Sequence, residues 1–439
     1  MSLNKRPYKG CRDLYPEEKR IQNYLFEKMA QTAELFGYEP YDGPMLEEVE
    51  LYKAKSGEEL INDQIYSFVD RGDRHVAIRP EMTPTLARMV SNIYKEYPLP
   101  LRWYSIPNLM RYERPQKGRL REHWQFNCDI FGAPGREGEV EILQVAITLM
   151  EKLGASEKEF SILLNDRMIV DGIFKHLLSL NKDSAYRLYK IIDKSKKINQ
   201  TELESLVKQI DLDGKENIFF DYLKLKSFQD LFSFLDQHKL NLIKDHFLPL
   251  VSTLTDMGLD KYITYDPSIV RGLDYYTGIV FEIFDKNPEN PRAISGGGSY
   301  QNLLKIFNEA DDFPGVGFGL GDVTLKDFLT THGLLPDFSR PQLDLYLTSQ
   351  TEAGLSIIKK LAQSLRQYNV KVSVHLNSIK LKKAFSIGEK RGATFLGILG
   401  DQELADQKIQ IKKLGANQQT TFLLSDSKKI ERHLRGINE

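Results

Sequence analysis

The sequence predicts a chain of mixed α and β class in more than one domain, and three observations carry that expectation. A strand–loop–strand segment occupies residues 98–131, lysine-rich helical periodicity runs over about 166–261, and strands alternate with helices over 343–439. At 439 residues the chain exceeds what one typical core holds, so two or three domains are expected.

Residues 17–37 carry apolar side chains at helical spacing and end at Gly37, a residue suited to terminating a helix. In the following YEPYDGPMLEEVELY, Pro40 and Pro44 predict an extended, edge-like segment. Two strands near LRWYSIPNLMRYE and EHWQFNCDIFG then flank the loop RPQKGRLR. The stretches DGIFKHLLSL, SAYRLYKIIDKS and FQDLFSFLDQHKL have helical period and few strand signals, as in a helical insertion. Strand and glycine signals return near 262–330 (IVFEIFD, AISGGGSY, GVGFGLG), where the first domain is expected to resume. After a break around GLLPDFSRPQ, the order LDLYLTS, helix, KVSVHL, helix, TFLGILG predicts a compact α/β domain.

A 41% hydrophobic and 28% charged composition describes an ordinary soluble protein, and no apolar run approaches the roughly 20 residues that span a bilayer. The N-terminal MSLNKRPYKGCRDLYPEEKR has no apolar core, so a secretory signal is not expected. Two cysteines, Cys11 and Cys128, exclude a disulfide framework or a cysteine-rich zinc site; small thiols in a reducing, cytoplasmic setting fit best. The net charge of −1 is uneven: residues 340–439 hold 17 Lys and Arg against 9 Asp and Glu. That excess is compatible with phosphate contacts and equally with solvated lysines.

In the strand EHWQFNCDIFG, alternation places Trp124, Phe126, Cys128 and Ile130 on one face and His123, Gln125, Asn127 and Asp129 on the other. The preceding strand offers Arg111 and Glu113, also sharing a face, so the pair could line a polar pocket. Arg114, Lys117, Arg119 and Arg121 surround Gly118 in the loop. Guanidinium forks match phosphate oxygens, although a charged hairpin tip can serve solubility alone. In IRPEMTPTL, Pro80 and Pro84 disfavour a helix and should point Glu81 and Thr83 the same way, towards an ammonium group or merely into solvent.

RGLDYYTG (271–278) packs Arg271, Asp274, Tyr275 and Tyr276 ahead of an apolar strand. A fixed cation beside two phenols and a carboxylate suits charge moving onto a phosphate; an Arg–Asp pair with two core tyrosines is the plainer alternative. The glycine runs ISGGGSYQNLL and FPGVGFGLG match neither a phosphate loop nor a dinucleotide fingerprint, and serve either close ligand approach or tight strand junctions.

Together these segments resemble the class II aminoacyl-tRNA synthetases, and among them the histidyl-tRNA synthetase family, over nearly the whole chain. KGCRDLYPEE resembles the family's opening segment, GPMLE its motif 1 at a dimer interface, RYERPQKGRLREHWQ its motif 2, and RGLDYYTG a histidine-specific signature. The resemblance implies an α+β catalytic domain, an antiparallel sheet flanked by helices, over 1–165 and 262–330. It also implies a helical insertion domain at 166–261 and a C-terminal α/β anticodon-binding domain at 335–439. The implied partners are L-histidine, ATP with Mg²⁺, tRNA(His) and a second copy in a homodimer, with no membrane. By the same resemblance Arg111 contacts the α-phosphate, Glu113 the adenine end and Arg119 the far phosphates, while Gln116 and Arg121 meet the tRNA acceptor end. Glu81, Thr83 and Gln125 hold the ammonium and carboxylate of histidine. Asp129 and Tyr276, with Tyr275 alongside, face the imidazole, and Arg271 is a fixed cation at the α-phosphate.

Three departures stand out. Motif 3 usually ends in Glu-Arg after its glycines, whereas GFGLGDVTL has Val323 and Thr324 there; Ser299-Tyr300-Gln301 replaces the usual Arg-Tyr-Asp; and Asp129 stands where a glutamate is usual. The loss in motif 3 motivates a second reading, a non-catalytic relative such as the synthetase-like regulatory subunit of ATP phosphoribosyltransferase. That subunit usually lacks the anticodon-binding domain expected here.

Overall fold

The computed structural model describes residues 3–53, 63–270, 276–307, 313–339 and 342–437. They form two compact units: Met1–Asp13 with Gln22–Leu335, and Leu14–Ile21 with Pro336–Glu439. Among the described residues no helix is long and apolar enough to cross a membrane.

The chain enters helix α1 (Pro16–Leu35), and Gly37, at φ +77°, ends it in the left-handed region as the sequence predicts. Short strands β1 (Glu39–Pro40) and β2 (Leu46–Glu48) follow, then a five-residue helix α2 (Val49–Lys53) where an extended run is expected. Strands β3 (Tyr66–Val69) and β4 (His75–Ile78) pair with β2 in a three-stranded antiparallel sheet. Helix α3 (Thr83–Ile93) corrects a second expectation. Pro84 lies in its first turn, where a missing N–H breaks no helical bond, so the proline starts the helix rather than preventing it.

The first strand expected within 98–131 is two strands, β5 (Leu101–Ser105) and β6 (Asn108–Met110), separated at Ile106-Pro107 because a proline cannot donate to a ladder. Both pair antiparallel with the long β7 (Glu122–Phe131). Helix α4 (Glu137–Lys152) and β8 (Phe160–Asp166) come next.

Between β8 and β9 (Ile263–Tyr265) lie six helices: α5 (Arg167–His176), α6 (Lys182–Lys194), α7 (Gln200–Val207), α8 (Glu216–Leu223), α9 (Phe228–Gln237) and α10 (Asn241–Asp256). Asp166, Asn181, Asn199 and Ser227 cap four of them by accepting backbone N–H bonds, which explains where these helices begin. The large sheet then finishes with β10 (Ile279–Asp285), β11 (Ser295–Ser299) and β12 (Gly315–Gly321), before α11 (Asp322–Thr331).

Its order is β1-β5-β7-β12-β11-β10-β8-β9, with β6 also on β7. The expected antiparallel character holds through the centre, while the edge pairs β1–β5 and β8–β9 are parallel. One face packs on α4, whose Ile142, Leu143, Val145, Ala146 and Leu149 are buried. The opposite face of the central strands is nearly bare and forms the site.

The second unit contains β13 (Leu343–Ser349), α12 (Glu352–Arg366), β14 (Val372–Val374), α13 (Leu381–Lys390) and β15 (Ala393–Leu399), the alternation expected from the sequence. Helix α14 (Asp401–Ala405), the antiparallel hairpin β16 (Lys408–Lys413) and β17 (Gln419–Leu423), and α15 (Ser427–Leu434) complete it. Strand order is β14-β13-β15-β16-β17 around Leu345, Leu347, Ile358, Leu399, Ile409 and Ile430. Residues 14–21 belong to this unit in part through Arg20, whose guanidinium donates to the Phe338 carbonyl at 2.7 Å.

Candidate active site

Strand parity builds the floor of the site. On β7 the face with Gln125, Asn127 and Asp129 is opposed on β12 by Gly321, Gly319 and Gly317, while Phe126 and Cys128 face Leu320 and Phe318 in the core. Gly296 and Gly298 of β11 continue the bare strip beside Gly319 and Gly317. Three of these glycines are sterically required. A Cβ on Gly317 would collide with the Asp129 carboxylate and the Tyr300 hydroxyl, one on Gly319 with the Gln125 amide, and one on Gly298 with the Tyr276 ring. The two glycine runs therefore make room for side chains reaching over the sheet.

Above this strip a narrow polar pocket is lined by Glu81, Thr83, Arg111, Gln125, Asn127, Asp129, Tyr276 and Tyr300. Glu81 is buried just ahead of α3, and Thr83 is the first residue of that helix. Asp129 is buried and accepts a hydrogen bond from the Tyr300 hydroxyl. Burial pushes its carboxyl up to about 7, and the Tyr300 hydroxyl pulls in the opposite direction. Tyr276 is fixed through its carbonyl, which accepts from Arg167 Nη1 at 2.9 Å, and Thr277 N donates to the Ser299 carbonyl at 2.8 Å. Behind it, Ser299 Oγ donates to Glu139 at 2.6 Å, and Arg136 bridges Glu139 and Asp166 at 2.6 and 2.9 Å. Arg271 and Tyr275 lie outside the described residues.

A groove of about 720 Å³ adjoins the pocket at Arg111 and is lined by Arg111, Glu113, Gly118, Arg119, His123, Lys197, Glu282, Arg292, Val323 and Thr324 among others. Arg111 borders both spaces, with its Nε donating to the Pro80 carbonyl at 2.8 Å. Glu113 is buried and paired with Arg119 through two hydrogen bonds, one of 2.7 Å from Nη2. His123 is held neutral, because burial and the nearby Arg111 and Arg12 lower its pKa to about 3. At the head of α11, Asp322 accepts from Trp124 N at 3.0 Å and Arg12 Nη2 at 2.7 Å.

Gln116 and Arg119 exchange backbone hydrogen bonds of 3.0 and 2.9 Å, closing the loop tip around Gly118 at φ +71°. Arg121, expected with Gln116 at the tRNA acceptor end, lies inside the base of the hairpin. It is only 8% exposed, donates to the Glu113 carbonyl at 3.0 Å and the Tyr8 hydroxyl at 2.9 Å, and stacks 4.0 Å from the Tyr112 ring centroid. A guanidinium stacked on phenol rings and bonded at two edges braces the hairpin base from inside.

The structure thus gathers Glu81, Thr83, Gln125, Asp129 and Tyr276 in one pocket and Glu113 and Arg119 in the adjoining groove, with Arg111 between them. A model of histidyl-tRNA synthetase matches residues 10–323, and one of an anticodon binding domain matches residues 345–430. The chain belongs to the histidyl-tRNA synthetase family. It is 41% identical to the histidine–tRNA ligase of Leptospira biflexa, with 97% of each chain covered, and 36% identical to that of Opitutus terrae, with 94% of each covered. The fold also resembles the crystal structure of histidyl-tRNA synthetase from Nostoc sp. PCC 7120, with a TM-score of 0.81 at 23% identity over 98% of this chain and 100% of that one.

Residue-type reasoning missed two features of this family member's site. Tyr300 reaches Asp129 across 171 residues of chain, and pairing between distant strands leaves no local signal. Arg292 stands four residues ahead of the glycine run at 296–298, and that placement was the available clue.

Proposed function

We propose that the chain is a histidine–tRNA ligase, joining L-histidine to ATP as histidyl-adenylate with release of pyrophosphate and then passing histidine to the 3′ end of tRNA(His). The geometry that carries this reading is the position of Arg111 on the border between a narrow polar pocket and a groove of about 720 Å³. A carboxylate held in the pocket and an α-phosphate held in the groove meet there. The relatives bear the ligase name over nearly their full length, which disfavours the non-catalytic alternative.

In this reading Glu81, Thr83 and Gln125 bind the ammonium and carboxylate ends of histidine. Asp129 accepts from an imidazole N–H, while Tyr276 and Tyr275 shape the ring's seat. The histidine carboxylate attacks the α-phosphate in line, and the bond to the pyrophosphate oxygen breaks. Arg111 and Arg271 stabilise the charge passing onto the phosphate oxygens, so positioning and electrostatics dominate. Glu113 and Arg119 part as the nucleotide enters, Glu113 turning to the adenine and Arg119 to the far phosphates. Mg²⁺ accompanies the phosphates. Such an ion would be carried on phosphate oxygens, and Glu282, which lines the groove, is a carboxylate that could help hold it.

Gln116, at the loop tip, is the residue assigned to the acceptor end of the tRNA. Residues 1–165 and 262–330 serve as the catalytic domain, 166–261 as an insertion beside it, and 335–439 as the anticodon-binding domain. A homodimer is supported by exposed Met45, Leu46 and Phe68 on and around the three-stranded sheet, an apolar surface of the kind that marks contacts between proteins. Cytoplasmic location fits the sparse cysteines. The test is charging of tRNA(His) transcript with L-histidine and ATP. Formation of histidyl-tRNA supports the reading; no product from folded protein, or charging with a different amino acid, overturns it.

A further inference from the structure

In the ligase reading the groove takes a polyanion, yet most of its cations are engaged. Arg119 is paired with Glu113, Arg111 donates to the Pro80 carbonyl, and Lys197 lies 3.6 Å from Asp193. The head of α11 supplies no cation: Asp322 is held by Arg12 and Trp124, Val323 is apolar, and the Thr324 hydroxyl donates to the Ile294 and Gly321 carbonyls at 3.3 Å each. Arg292, on the loop joining β10 to β11, also lines the groove. Among the described residues its guanidinium has no hydrogen-bond, ion-pair or ring partner, although it is only half-buried among charged neighbours.

The seat of Arg292 is shaped for it. Its Cδ lies 3.0 Å, and the Thr324 methyl 3.4 Å, from where a Cβ of Gly118 would stand, so the stem fills the space that a glycine leaves in the hairpin loop. Gly118 has φ +71°, a conformation that independently favours glycine. A second tether joins the same two loops, with Lys117 Nζ donating to the Glu289 carbonyl at 3.3 Å. The hairpin loop and the β10–β11 loop therefore close over the groove together, with one uncommitted guanidinium between them.

We infer that Arg292 is the cation that receives the β- and γ-phosphates of ATP in this chain, from the β10–β11 loop rather than from the head of α11. The inference rests on the ligase reading. A guanidinium already in the groove and without a partner binds phosphate without first breaking an ion pair, as Arg119 must. Thr324 lines the same groove, its methyl beside the same Gly118 position, so an arginine installed there should reach the same phosphates.

Calorimetric titration with ATP and with AMP tests this on the full chain. Arg292→Gln keeps most of the stem against Gly118 and removes the charge. It should weaken ATP binding about tenfold, as expected for losing a charge-assisted hydrogen bond, and leave AMP binding within about twofold. Arg292→Lys should recover part of the loss, and adding Thr324→Arg to Arg292→Gln should recover more, with unfolding midpoints unchanged in all. Unchanged ATP affinity in Arg292→Gln overturns the inference, as does an equal loss for ATP and AMP, which would make Arg292 a loop-packing residue. The wild-type arm separates the two claims. Wild type that fails to bind ATP removes the ligase reading itself, whereas tight wild-type binding with an indifferent Arg292→Gln removes only the role of Arg292.

Discussion

The pocket and the groove share Arg111 but are built by different means. In the pocket the main chain does most of the shaping: glycines at 296, 298, 317 and 319 strip the sheet, buried Asp129 and Asn127 are fixed on β7, and buried Tyr300 directly follows β11. In the groove much of the lining comes from loops, and buried Glu113 is paired with Arg119. Rigid strands discriminate shape and hydrogen bonding closely, because an unmatched ligand leaves buried polar groups unpaired. Loop cations hold a flexible polyphosphate and release it. The contrast matches an amino acid that must be distinguished from its competitors and a nucleotide tail that must leave as pyrophosphate.

Substitutions should separate the two regions. The largest effect is expected from Asp129→Ala, which removes a buried acceptor from the pocket: kcat/KM for histidine should fall on the order of 100-fold, with KM for ATP nearly unchanged. Equal losses for both substrates would dissolve the distinction between the regions. Next is Gly317→Ala, where the new methyl meets the Asp129 carboxylate and the Tyr300 hydroxyl. It should lower stability by about 1–3 kcal/mol in urea unfolding and weaken histidine more than ATP. Glu113→Gln is milder. It frees Arg119 but removes the partner assigned to adenine, so KM for ATP should rise about tenfold while KM for histidine holds in steady-state exchange.

The smallest effect is on pH dependence. With its carboxyl raised to about 7, Asp129 is largely protonated at pH 6 in the free protein and ionised at pH 8. Because the folded state holds this proton more tightly than the unfolded chain does, its contribution to stability is present at low pH and lost as pH rises through 7. Histidine uptake should do the reverse, tightening towards pH 8 and releasing a proton when it occurs at pH 6. In Tyr300→Phe the hydroxyl that lowers the carboxyl is gone, so the midpoint of uptake should move upward. A midpoint that moves downward or stays fixed would detach Tyr300 from the pocket's electrostatics.

Much of this site was legible in the sequence because it obeys local periodicity. Alternation along β7 placed Gln125 and Asp129 on one face before any fold was known, and glycine-rich β11 and β12 signalled close approach. The helical stretch and the C-terminal alternation were equally readable from period and from the order of strand and helix signals. What escaped depends on partners distant in sequence. Nothing near Arg121 says that Tyr8 and Tyr112 enclose it, and nothing near Arg292 says that Gly118 leaves space for it. The start of α3 departs from the expectation for a local reason instead: Pro84 sits in the first turn, where a proline starts a helix rather than breaking it.

The most direct measurement of the central claim is amino-acid-dependent exchange of pyrophosphate into ATP, run on wild type and Arg111→Ala. The account predicts exchange with L-histidine alone among the common amino acids. In Arg111→Ala the rate should drop on the order of 100-fold or more, while separate binding of histidine and of ATP changes far less, as expected for a residue acting chiefly in the transition state. Absence of histidine-dependent exchange in folded wild type, or undiminished exchange in Arg111→Ala, would contradict it.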